Sequence, residues 1–191
     1  VHLDDILMCS RAREDHERHL RWVLNKLREH KLYANAAKCS IDRPQVHYLG
    51  HVLSAGGIAP DPEKISAVKD WPAPQTVTEV RSFLGLCSYY RRHVPHLASI
   101  AAPLTDLERK DHAWRWGTAE QHAFDSMKNA LLSPSVLTPP DFTRPFELQT
   151  DASEVGLGAV LHQRDSQGQM RPVAFASRRL TPAESNYPTH E

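Results

Sequence analysis

Asp4 and Asp5 are the first side chains in this sequence whose type and spacing could do chemistry. They lie in Val1-His2-Leu3-Asp4-Asp5-Ile6-Leu7-Met8, between short apolar runs. Such runs read as two buried strands, with the acidic pair in the turn that joins them. Adjacent anions repel, and burying them unpaired is costly, so the turn either lies in water or holds a cation. Hard divalent cations take oxygen ligands, and carboxylates on a rigid hairpin can hold Mg²⁺ beside phosphate groups. On these residues alone, a solvated Asp-Asp turn is the simpler reading. A further acid, Asp151, closes the run Pro145-Phe146-Glu147-Leu148-Gln149-Thr150-Asp151. The small residues of Gly156-Leu157-Gly158-Ala159 let a neighbouring strand pack closely beside it.

The elements that would carry these acids follow from periodicity and caps. Leu20, Val23, Leu24 and Leu27 recur at helical spacing, which predicts a helix over residues 14–31 with charges on its other face. Residues 46–53 alternate like a strand, and Ala55-Gly56-Gly57 supplies a turn. Asp61-Pro62-Glu63 is a cap followed by a first-turn proline, so a helix starts there and ends before Pro72. Trp71-Pro72-Ala73-Pro74 reads as a stiff connector. Thr118-x-x-Gln121 caps a helix whose apolar face is Ala123, Phe124, Met127 and Leu131. Pro134, Pro139 and Pro140 mark a second boundary. Three antiparallel strands then follow, at 145–151, 156–161 and 172–177, with a turn at Asp165-Ser166-Gln167-Gly168.

A capping box, Thr76-x-x-Glu79, opens a helix predicted over 77–93. Its apolar stripe is Val80, Phe83, Leu84, Cys87 and Val94. Arg81, Gly85 and Tyr89 are four apart and Arg92 is three further on, so they share the opposite face. A mid-helix glycine costs about 1 kcal/mol relative to alanine, and a close approach by another backbone is the usual reason for one. A cation, a gap and an aromatic in a row suit the minor groove of a duplex. A helix–helix contact through Gly85 explains the same spacing equally well.

Composition bounds the rest. The chain has 191 residues, 40% of them hydrophobic, enough for one large domain or two small ones. Lys and Arg number 23 and so do Asp and Glu, so global charge announces no nucleic-acid partner. Residues 11–40 are locally basic, a weak sign of phosphate contacts, since charged helix faces are usually just solvated. Cys9, Cys39 and Cys87 form no disulfide framework and suggest a reducing compartment. Twelve histidines lack any Cys-x-x-Cys partner, which argues against structural zinc. There is no signal peptide and no apolar run long enough to span a membrane. A start at Val1 inside an apparent strand, and an end at Glu191 without a closing element, read as a piece of a longer protein.

Six motifs in order resemble the middle of the polyprotein of gypsy-type LTR retrotransposons, from the end of the reverse transcriptase into its ribonuclease H. His2-Leu3-Asp4-Asp5 resembles the Tyr-x-Asp-Asp motif of the polymerase palm, whose carboxylates bind Mg²⁺. Asn35-x-x-Lys38-Cys39 resembles the next palm motif, whose lysine is implicated in protonating pyrophosphate. Tyr48-Leu49-Gly50-His51 resembles the Phe-Leu-Gly-His hairpin, the primer grip. Arg81-Ser82-Phe83-Leu84-Gly85-Leu86 with Tyr89-Tyr90-Arg91-Arg92 resembles the thumb helix that tracks the template–primer minor groove. Residues 146–161, with Thr150-Asp151-Ala152-Ser153, resemble the opening strands of the ribonuclease H, and residues 172–180 its continuation.

The resemblance implies an α+β chain: a palm remnant of β-hairpins and helix over 1–60, a helical thumb over 61–112, a helical linker over 113–140, and the first antiparallel strands of a ribonuclease H-like fold over 141–191. It implies two-metal phosphoryl transfer on template–primer and RNA–DNA hybrid. Asp4, Asp5 and Asp151 would be metal ligands and Lys38 a general acid. Tyr48, Gly50, Arg81, Gly85, Tyr89 and Arg92 would contact nucleic acid. Mg²⁺ is the implied cofactor, with Mn²⁺ as the alternative ion. The implied partners are the nucleic acids and the remaining polyprotein, with fingers and palm upstream and ribonuclease H and integrase downstream, in an intracellular, cytoplasmic virus-like particle without membrane contact. His2 departs from the family's aromatic residue, and the third palm carboxylate lies before Val1. Glu191 is the first acid of the family's Glu-x-Glu, of which the second is the ligand. The fragment would therefore complete neither metal site. A non-catalytic nucleic-acid-binding or decayed remnant is the alternative reading.

Overall fold

The computed structural model describes residues 4–10, 12–109 and 113–186. Two three-stranded antiparallel sheets are joined through a helical core. Helix α1 (Arg13–Glu29) comes first, starting within a residue of the expected position. None of its residues is buried: Leu20, Val23 and Leu27 are half-buried, and Leu24 and Trp22 remain exposed. A 3₁₀ turn (Ala36–Lys38) follows, capped by the Asn35 side chain, which accepts from the Ala37 amide at 3.1 Å.

The first sheet contains β1 (Gln45–Tyr48), β2 (His51–Ser54) and β3 (Gly57–Pro60), in that order. The continuous alternation over 46–53 is thus two strands. Tyr48 pairs with His51 across a two-residue loop, Leu49-Gly50, with both φ values positive at 47° and 68°. Positive φ at both central residues matches the right-handed twist of a hairpin. Leucine rarely adopts it, at a cost of about 1–2 kcal/mol, so surrounding contacts must hold the turn.

Five helices build the core. Asp61 caps α2 (Pro62–Lys69) by accepting from the Glu63 amide at 2.9 Å. Thr76 caps α3 (Val77–Tyr89) by accepting from the Glu79 amide at 3.2 Å. The α-helix stops at Tyr89 rather than running to 93, because a 3₁₀ turn (Arg91–His93) takes over. Short helices α4 (Leu97–Ile100) and α5 (Ala102–Asp106) follow, then α6 (Thr118–Leu132). The cap of α6 is not Thr118. Gly117 occupies that position, and the Glu120 carboxylate reaches back to the Gly117 amide at 2.9 Å.

The expected apolar stripes meet in one cluster. Val80, Phe83, Cys87 and Val94 pack with Val68, Leu104 and Leu107, and with Ala123, Phe124, Met127 and Leu131 of α6. The Phe83 and Phe124 rings lie 4.7 Å apart, and Trp71 also packs against Phe83 at 5.9 Å. Lys128 bonds the Trp71 carbonyl at 2.9 Å and sits 5.1 Å over the Phe124 ring. Residues 71–74 therefore belong to the core surface, with Pro74 fully buried. Likewise α6, which the flanking prolines set apart as a linker, shares its core with α2–α5.

The second sheet contains β4 (Glu147–Ala152), β5 (Gly156–Arg164) and β6 (Met170–Arg179). Its strand order is sequential, and Asp151 pairs with Gly158. The proline-rich segment after α6 touches everything around it. Leu137 and Ile58 exchange both backbone hydrogen bonds, at 2.7 and 2.8 Å. The Ser135 amide bonds the His93 carbonyl at 3.1 Å, and the Thr138 amide bonds the Pro172 carbonyl at 2.7 Å. Gly57 permits this. Its φ is +127°, and a Cβ there would run into the Leu137 backbone. The second sheet is tied to the helices by the Ala98 amide on Ser177 Oγ (2.9 Å) and by Arg179 on Asp106 (2.7 Å).

Candidate metal sites and nucleic-acid interface

Asp4 and Asp5 are both exposed. The Tyr48 hydroxyl donates to the Asp5 carbonyl over a long 3.4 Å, which sets the acidic turn beside the β1–β2 hairpin. His2 and Glu191, both named from sequence, lie outside the described residues. Lys38 ends the 3₁₀ turn and is exposed. Its motif neighbours build that turn locally: Asn35 caps it, and the Cys39 thiol donates to the Asn35 carbonyl at 3.3 Å.

Asp151 lies on β4, exposed at the sheet edge. It borders an open cleft of about 280 Å³ lined by Gln149, Thr150 and Phe175 of the sheet and by Pro95 and His96. Residues paired across an antiparallel sheet point to the same face. The face of Gly158, opposite Asp151, is the one that the His96 ring covers, for a Cβ on Gly158 would stand 2.7 Å from His96 Nδ1. His96 has a left-handed backbone (φ 52°) in the turn before α4. Its neighbours have no regular period, so sequence reasoning had nothing to place it by. Among the described residues no three His, Cys, Asp or Glu side chains cluster tightly enough to hold a metal ion. The donors present are hard carboxylate oxygens, the correct chemistry for Mg²⁺, and too few to complete its shell.

Of the expected nucleic-acid residues, Arg81, Gly85 and Tyr89 lie on α3, Arg92 in the 3₁₀ turn beyond its end, and Tyr48 and Gly50 on the β1–β2 hairpin. Arg81 is exposed and only loosely paired, with Glu108 at 3.5 Å. A Cβ on Gly85 would meet nothing within 4 Å, so among the described residues no helix packs through that glycine. Tyr89 is 55% exposed and Arg92 is exposed. Tyr48 is half-buried on the hairpin.

Gly50 is occupied differently. A Cβ there would stand 3.2 Å from the Tyr90 hydroxyl and 3.3 Å from Tyr89 Cε1, so glycine is required both by φ and by the tyrosines. The Tyr89 hydroxyl donates to the Leu49 carbonyl at 2.6 Å, and the Tyr90 hydroxyl to the Gly50 carbonyl at 3.2 Å. His51 Nδ1 lies 2.8 Å from the Leu49 carbonyl and must carry a proton to bond it. Its ring stacks on His93 at 5.2 Å. Burial pushes the His93 pKa down, against a hydrogen bond to the Ser135 carbonyl that raises it. His47 and Asp61 pair at 2.9 Å, which raises the histidine pKa and lowers that of the carboxyl. Sequence reasoning missed His51, Asp61 and His93 as parts of this junction. The adjacent Tyr89-Tyr90 at a helix end was its one visible sign.

The two sheets and the helical core between them match known proteins across their length. The family described as reverse transcriptase (RNA-dependent DNA polymerase) matches residues 1–53. The RNase H-like domain found in reverse transcriptase matches residues 116–191. The chain belongs to the reverse transcriptase and RNase H-like region of retrotransposon polyproteins. The Tf2-3 and Tf2-7 transposon polyproteins of Schizosaccharomyces pombe are 37% and 36% identical to it over 186 residues. That alignment takes in 97% of this chain and 14% of each polyprotein. Structures of the foamy viral protease-reverse transcriptase share the fold. The dRH form in complex with double-stranded DNA has a TM-score of 0.81, and a complex with RNA/DNA hybrid has 0.79, both at 23% identity. Each covers 95% of this chain, which spans 32% and 25% of theirs. Both matched families generally use divalent metals. No helix among the described residues is long and apolar enough to cross a membrane.

Proposed function

We propose that this chain is the central part of an RNA-directed DNA polymerase/ribonuclease H, with palm over 1–60, thumb over 61–112, connecting helix over 113–140 and ribonuclease H strands from 141. The observation that carries it is the open face of α3, where Arg81, Gly85 and Tyr89 are spaced by four and Tyr89 meets the β1–β2 hairpin. Gly85 leaves a notch into which a sugar–phosphate backbone can settle, and Arg81, held only loosely by Glu108, can turn to it. The template–primer and the RNA–DNA hybrid are the partners of that face, with Tyr48, Gly50 and Arg92 at its borders. The remaining polyprotein supplies the other halves of both metal sites.

Asp4 and Asp5 would hold Mg²⁺, or Mn²⁺, at the polymerase centre, and Asp151 at the ribonuclease centre. When bound, such ions lower the pKa of an attacking hydroxyl or water and offset charge on the phosphate. The acids orient those donors from fixed backbone, Asp4 and Asp5 from a tight turn and Asp151 from a strand paired with Gly158. Lys38 would give a proton to the leaving pyrophosphate.

The test uses the complete polyprotein enzyme carrying this sequence. Asp4→Asn should abolish primer extension and spare hybrid cleavage, while Asp151→Asn should do the reverse. Loss of both activities in either variant, or of neither, would refute the assignment.

A further inference from the structure

The junction of α3 with the β1–β2 hairpin carries more than a surface for nucleic acid. Both carbonyls of the strained Leu49-Gly50 turn are bonded from the thumb side. Leu49 accepts from Tyr89 at 2.6 Å and from His51 Nδ1 at 2.8 Å. Gly50 accepts from Tyr90 at 3.2 Å and from the Asp61 amide at 2.9 Å. The two tyrosine rings meet edge to face at 5.0 Å, and the His51 ring lies within 6 Å of both. Tyr90 is buried, whereas the Tyr89 ring keeps its outer side in solvent.

A leucine at positive φ persists only where its surroundings over-determine the backbone. Here the surroundings are the end of α3 itself. We propose that Tyr89 and Tyr90 form a clamp that locks the Leu49-Gly50 turn to the thumb helix, so that the hairpin and the open face of α3 hold one fixed geometry. Tyr89 is then a positioning residue for the hairpin in addition to being part of the exposed face. The inference rests on the reading of that hairpin as the primer grip. In that reading the clamp fixes where the primer 3′ end lies.

Tyr89→Phe keeps the ring and its exposed side and removes the bond to Leu49. Tyr90→Phe removes the bond to Gly50. Both should be made in the complete enzyme, with two readouts. Hydrogen exchange at the His51 and Asp61 amides, the latter bonded to the Gly50 carbonyl, reports the clamp whether or not the protein is active. Single-nucleotide primer extension, beside template–primer Kd, reports its consequence. We expect exchange at least tenfold faster in each variant. Extension should fall roughly 5- to 30-fold in both, and for buried Tyr90→Phe with Kd within twofold, because the duplex still binds while its end is misplaced. Unchanged exchange in both variants would overturn the clamp. A Kd raised in parallel with unchanged exchange would overturn it too, and make Tyr89 a direct duplex contact. Faster exchange in a parent protein that never extends a primer would support the clamp and sink the primer-grip reading instead.

Discussion

Replacing Phe83 by alanine tests whether the thumb helices and α6 are one folding unit. Phe83 is fully buried, 4.7 Å from Phe124 of α6 and 5.9 Å from Trp71. Truncating a buried phenylalanine costs about 3–5 kcal/mol, from lost transfer energy and the cavity left behind. Breaking the Phe83–Phe124 ring pair accounts for about 0.5–1.5 kcal/mol of this. In a protein of this size the melting temperature should fall by roughly 6–20 °C. Phe124→Ala should cost a similar amount. Because the rings touch, the double variant should depart from additivity by about 0.5–3 kcal/mol in urea denaturation followed by circular dichroism. A loss below about 1.5 kcal/mol would refute the shared core. So would strict additivity combined with separate transitions for the two variants, since α6 would then be a linker after all.

Other outcomes follow from the same geometry. Arg81→Ala in the complete enzyme should weaken template–primer binding for all sequences and reduce the slope of log Kd against log salt by about one. Its ion pair with Glu108 is loose and exposed, so stability should change by less than about 1 kcal/mol. Gly57→Ala forces a Cβ into the Leu137 backbone at φ +127° and should unfasten the 135–138 segment, read as faster exchange at the Ile58 and Leu137 amides. The two histidines give opposite pH trends. His47, with a raised pKa, supports the fold below its unfolded value and loses that support as pH rises through the folded one. Asp61, with a lowered pKa, loses its share only as pH falls well into the acid range. Their pair should therefore help most in mildly acidic solution, and Asp61→Asn should remove that alkaline decline. Buried His93 is favoured neutral, so its contribution stands above its unfolded pKa and is lost as pH falls through a lower folded value. Melting temperatures of His47→Gln and His93→Gln, measured from pH 5 to 9, separate the two.

Much of the helical framework was legible because local signals agreed. Asp61 and Thr76 cap where their side chains can reach an amide two or three residues on, and the stripes of α3 and α6 are the buried ones. The three strands around Asp151 were legible from alternation and the Asp165–Gly168 turn. The alternation by itself hid the hairpin turn, since Tyr48 and His51 preserve it on either side and leucine at position 49 is no turn signal, and only the resemblance of Tyr48-Leu49-Gly50-His51 to a family hairpin placed it. Prolines misled at 72–74 and 134–140. They mark extended backbone, which here lies along the core and between the sheets rather than outside them. Thr118 resembled a cap because glycine, which has no side chain, gives no sign that Glu120 will serve Gly117. His96 reaches Gly158 through tertiary packing alone, and no spacing could have announced it. The carboxylates were legible as types, but their exposure, and the placing of Asp4 and Asp5 beside the β1–β2 hairpin and of Asp151 on an edge strand of the second sheet, required the fold.

The most direct measurement replaces Mg²⁺ with Fe²⁺ in the complete enzyme bound to a hybrid, and maps where peroxide-driven radicals cut the protein backbone. The account predicts cuts clustered around residues 4–5 and around residue 151. Asp4→Asn should erase the first cluster alone, and Asp151→Asn the second alone. Cuts that avoid both places, or that survive both substitutions unchanged, would contradict the claim that these acids hold the metals of two centres.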